Sequence, residues 1–197
     1  EVKKRLLAAQ TNQALFEQLD QDMERRITSL AHLIETLPEA EHPRNLTAYI
    51  TLCLCHIKRR MNLFFLARQG ESLPGDELGM YMDELAELGR YGGLRTLLRC
   101  GQIGALEIRS AALCYDFAFE AMSWTLLEEA SPLMGYLEKE GSQLVFRFLP
   151  GGDPGRWQFS RELMAAVSAL GGEIVCKDLD DAYGICLTVP LGGESCG

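Results

Sequence analysis

The sequence predicts an α+β protein: an N-terminal antiparallel helical hairpin that pairs with a second copy as a four-helix bundle, then a two-layer α/β sandwich. Three observations predict it. Apolar residues recur at steps of three and four as far as Phe64, with one break near Pro38 and Pro43. Beyond Leu94, strand-like runs alternate with helical ones. Apolar residues make up 47% of the 197, enough for a real core.

The first helix carries Leu15, Leu19, Met23, Ile27, Leu30, Ile34 and Leu37 on one side. Pro38 and Pro43 bracket an acidic stretch with His42, which breaks the helix into a turn. A second stripe follows through Leu46, Ile50, Cys53, Ile57, Met61 and Phe64, ending near Gly70. Two such stripes on one hairpin are most easily buried by a second copy, the alternative being packing against the rest of the chain. The expected domains are residues 1–72, a helical dimerisation hairpin, and 73–197, the sandwich.

In the second domain, Asp76 to Arg90 is expected to be helical, with Leu78, Met82, Leu85 and Leu88 on one face and Gly92-Gly93 as its stop. Leu94 to Cys100 reads as a strand. Ser110 is placed to cap a helix carrying Leu113, Phe117, Trp124 and Leu127. Leu144 to Leu149 is a strand, and Phe159 to Leu170 a helix. Glu173 to Lys177 and Ile185 to Val189 are paired strands around an Asp180-Asp181 turn.

Nineteen basic against 28 acidic residues give a net charge of −9, which opposes nonspecific attraction to nucleic acid or anionic lipid. Seven cysteines without a CxxC pair fit buried thiols in a reducing cytoplasm. Cys53, Cys55 and His56 do not read as metal ligands, because on a helix Cys55 points away from the other two. No metal site is expected. No run approaches the roughly 20 apolar residues that span a bilayer. Lys3, Lys4 and Arg5 suit either the cytoplasmic flank of a preceding membrane helix or an ordinary solvated helix start.

Leu163 to Val175, a helix stopped at Gly171-Gly172 before a strand, and Tyr183 to Leu191, a strand closing in Pro-Leu, resemble the end of the ATPase domain of bacterial sensor histidine kinases. Leu113 to Met122 looks like that family's N-box helix, and Leu73 to Leu85 like the helix leading into the domain. The hairpin stands where those kinases have their dimerisation domain. The resemblance thus runs in order over nearly the whole chain. It implies a GHKL-type ATPase fold and a place in two-component signal transduction.

The departures are as informative. Glu120 falls on the family's N-box glutamate, but its magnesium-binding asparagine corresponds to Ala121, whose methyl group offers no oxygen. The Asp-x-Gly-x-Gly box and the lid are replaced by the short run Pro150 to Trp157. There Asp153, with Gly151, Gly152 and Gly155, reads either as the remnant of an adenine site or as a tight strand-to-helix loop. The resemblance also asks for a solvent-facing phosphoacceptor histidine. His32 points away from the Leu30 and Ile34 seam and has Thr36 four residues on, like the family's H-box. Leu33 replaces the acidic neighbour, and Glu35 is positioned to substitute. His56 reads as packing at a bundle edge. The run Lys58, Arg59, Arg60 reads as a solvated face or a site for phosphate or an acidic receiver.

Three functions follow from the resemblance. The first is a cytoplasmic dimer with impaired nucleotide binding, acting as a signalling or docking element beneath an upstream sensor segment. The second is a histidine phosphotransferase passing phosphate to a response-regulator receiver domain through His32. The third is an active kinase using ATP and magnesium with Glu120. In the first two no cofactor is expected.

Overall fold

A computed structural model describes residues 24–129, 132–151, 157–179 and 182–191. Leu15, Leu19, Met23, the Lys3-Lys4-Arg5 cluster, Gly152, Asp153, Gly155 and the Asp180-Asp181 turn lie outside the described residues. By contacts the chain divides into two units that part between Pro43 and Arg44.

In the first unit, residues 24–36 form helix α1, followed by a single 3-10 turn at Leu37–Glu39 with Pro38 inside it. Helix α2, Pro43–Gln69, belongs to the second unit from Arg44 on, and its start at a proline fits the first helical turn, where an N–H has no partner to lose. Gly70 ends it with φ 71°, and the Glu71 N–H reaches back to the Leu66 carbonyl at 3.1 Å. This is a glycine C-cap. Then come β1 (Ser72–Pro74), α3 (Gly75–Tyr91), β2 (Thr96–Cys100), β3 (Ala105–Glu107) and α4 (Ile108–Leu127). The chain continues through β4 (Leu133–Glu140), β5 (Gln143–Pro150), α5 (Arg161–Ala169), β6 (Glu173–Leu179) and β7 (Ala182–Pro190).

The main sheet has the order β2-β4-β5-β7-β6, parallel between β2 and β4 and antiparallel elsewhere. One face, with Leu98, Leu137, Phe146, Phe148, Ile185 and Leu187, is buried against helices, while Leu97, Met134, Tyr136 and Arg147 point outward. A separate two-stranded ribbon pairs β1 with β3. α4 is the central helix. It is apolar nearly all round because it is covered on two sides: Phe117 meets Phe146 and Phe148 of the sheet, while Tyr115 and Phe119 meet His56 of α2.

Three local expectations differ from the structure. β4 was not expected, because its inward row contains Gly135 while its outward row shows Met134 and Tyr136, so the hydrophobic alternation disappears. Ser110 does not cap α4. The helix starts two residues earlier at Ile108, straight out of β3, and Ser110 is buried in its first turn. In α2 the face packed into the core is Ala48, Leu52, Cys55 and Leu63; of the predicted stripe only Ile50 is buried, and the rest is half-buried.

Candidate functional site

α4 carries two carboxylates four residues apart, Asp116 and Glu120, on one side of the helix. Each is taken by a different neighbour. The Glu120 carboxylate accepts from the Ser160 backbone N–H at 3.0 Å and from its hydroxyl. The same hydroxyl oxygen accepts from the Leu163 N–H at 3.0 Å, so Ser160 is the N-cap of α5. Burial pushes the Glu120 carboxyl above its ordinary range, against the two hydrogen bonds from Ser160, which favour the charged form.

Asp116 faces α2. Its Oδ1 lies 2.7 Å from His56 Nε2 and 3.3 Å from Arg60 Nε. His56 is only 2% exposed, with its ring stacked on Phe119 at 3.9 Å and on Tyr115 at 5.5 Å. The rest of the basic run is spent on α3. Arg59 donates to Glu84 at 2.7 Å with its guanidinium 4.2 Å above the Tyr81 ring, and Lys58 lies 3.7 Å from Glu84. Arg59 and Arg60 thus reach across to the neighbouring helices, while Lys58 stays mostly exposed. Cys55 Sγ lies 3.6 Å from the Tyr115 hydroxyl, and burial raises both of their pKa values.

His32 stands on α1, 77% exposed, with its Nδ1 4.0 Å from Glu35 Oε2. Those two predicted residues are therefore together and open to solvent. Glu120 is held at α5, Ala121 is fully buried, and Asp153 lies outside the described residues. Among the described residues no group of three His, Cys, Asp or Glu side chains is arranged to hold a metal ion, and no helix is long and apolar enough to cross a membrane. The pair that sequence reasoning missed is His56 with Asp116. Sixty residues separate them, so no local spacing could have revealed it.

No family model matches the sequence, and no curated protein matches it. Solved structures do. The histidine kinase domain of the Erythrobacter litoralis EL346 blue-light activated histidine kinase superposes with a TM-score of 0.52 at 12% identity, over 85% of this chain and 94% of that one. A longer structure of the same kinase gives a TM-score of 0.52 at 14% identity over 85% of this chain, which spans 63% of its length. At such identities the likeness establishes the fold, a histidine-kinase-like α+β domain.

Proposed function

We propose that the chain is a two-component signalling module on the histidine-kinase fold, one that has given up nucleotide binding and acts as a dimeric signalling or docking element. One observation carries the reading. Both carboxylates on the outward side of α4 are engaged by structural partners, Asp116 by α2 and Glu120 by the cap of α5. A magnesium-bridged triphosphate needs free oxygen ligands there, and Ala121 supplies none. Opening the Glu120–Ser160 contact to admit a metal would also leave the Ser160 backbone N–H without its acceptor.

Calorimetry with Mg-ATP is expected to show no binding tighter than about 100 μM. Micromolar affinity would return the chain to the active kinases that use Glu120. Replacing Ala121 by Asn alone leaves binding absent, because Glu120 stays committed to Ser160.

The exposure of His32 beside Glu35 favours a second reading, relay of phosphate to or from a receiver domain. An imidazole open to solvent can accept a phosphoryl group in line, and a carboxylate one helical turn away can orient it. A phosphorylated receiver is expected to label the wild type and not His32→Ala. Label retained in that variant would eliminate His32.

A further inference from the structure

We infer that α2 and the sheet domain form one body, so that the link at residues 70–75 is not a hinge. A hairpin followed by a separate domain would need its hinge after the second helix. Here that link is built into the fold. Ser72, Leu73 and Pro74 pair with Glu107, Leu106 and Ala105, and Leu73 is fully buried. Gly75 sits so close to the next loop that a Cβ would lie 2.7 Å from the Gly104 carbonyl oxygen and 2.6 Å from Ile103. A segment with its backbone paired on one side and pressed on the other has no free dihedral to bend about.

α2 itself is fastened along roughly 28 Å of its length, from Arg44 to Leu63. At its start Arg44 Nε donates to the Tyr91 carbonyl at 3.1 Å, at the C-terminal end of α3, and Asn45 donates to Glu129 at 3.0 Å. In the middle His56 and Arg60 hold Asp116, and Arg59 holds Glu84. Beyond them Leu63 is fully buried in the common core. Apolar contacts alone would let one helix slide on another, whereas these directional pairs to both α3 and α4 fix its register. By contrast, no residue of the turn Leu37–Glu39 is buried.

Glu-C protease tests it on the full chain, since exposed glutamates stand in both segments: Glu39 and Glu41 in one, Glu71 in the other. Cleavage after Glu39 or Glu41 is expected to be about tenfold faster than after Glu71 or more, because cutting requires local opening. Comparable cleavage at Glu71 would overturn the inference. Hydrogen exchange gives a second measure. Amides of α2 between Thr47 and Leu63 should be protected within about threefold of those in α4 and β5. The surface variant Arg60→Ala and the isosteric Asp116→Asn should raise exchange in α2 and α4 together. A rise confined to α2 would make it a separate unit and sink the proposal.

Discussion

At the scale of single residues, both carboxylates of α4 are engaged by neighbouring elements. Glu120 illustrates the electrostatics. Burial raises its pKa in the folded chain, so between the ordinary carboxylate value and that raised value the folded state holds a proton the unfolded state has released. Glu120 therefore makes stability fall as pH rises through that window, and above it the charged form carries a constant penalty. Glu120→Gln should flatten the slope of stability against pH in the window just above the ordinary carboxylate value, measured by urea unfolding at several pH values. An unchanged slope would mean that Glu120 is not the group responsible. Thiols follow the same logic: Cys114, pushed up to about 12 by burial, should resist alkylation in the native chain, whereas exposed Cys176 should react first among the cysteines of the described residues.

At the scale of elements, the α4–α5 junction depends on one hydroxyl used twice. Ser160 Oγ donates to Glu120 and accepts from the Leu163 N–H, so it ends one helix's charge and begins the other's hydrogen bonding. Ser160→Ala is expected to cost about 1–2 kcal/mol in urea unfolding, the usual range for a lost N-cap. Combined with Glu120→Gln it should cost less than the sum by about 0.5 kcal/mol or more, since both changes remove one contact. Strict additivity would show that the two residues act independently. The existence of α5 was legible in its sequence, from the run Phe159 to Leu170 and the Gly171-Gly172 stop; its Ser160 cap and the partner of that cap were not, because Glu120 is 40 residues away.

At the scale of the whole molecule, apolar side chains remain uncovered on both helices assigned to the hairpin. Ile27 and Ile34 of α1 are 58% and 52% exposed, and Leu54 and Phe65 of α2 are 52% and 46% exposed. A second copy of the chain is the proposed cover. Light scattering at micromolar concentration should give twice the 21.9 kDa of one chain, and Ile27→Glu should give folded monomers. A monomeric wild type would refute it. By itself the sequence determined that α1, α2, α3 and α5 are helices, that the last two strands pair, and that the chain ends in a helix-covered sheet. Periods of 3.6 and 2, caps and glycine stops act within a few residues, so they can be read locally. Only the tertiary structure decided which face of α2 is buried, that β4 joins the sheet at all, and that His56 meets Asp116. An apolar stripe specifies that it must be covered and not by what, and polar partners far apart in sequence become neighbours only when the helices bearing them have docked.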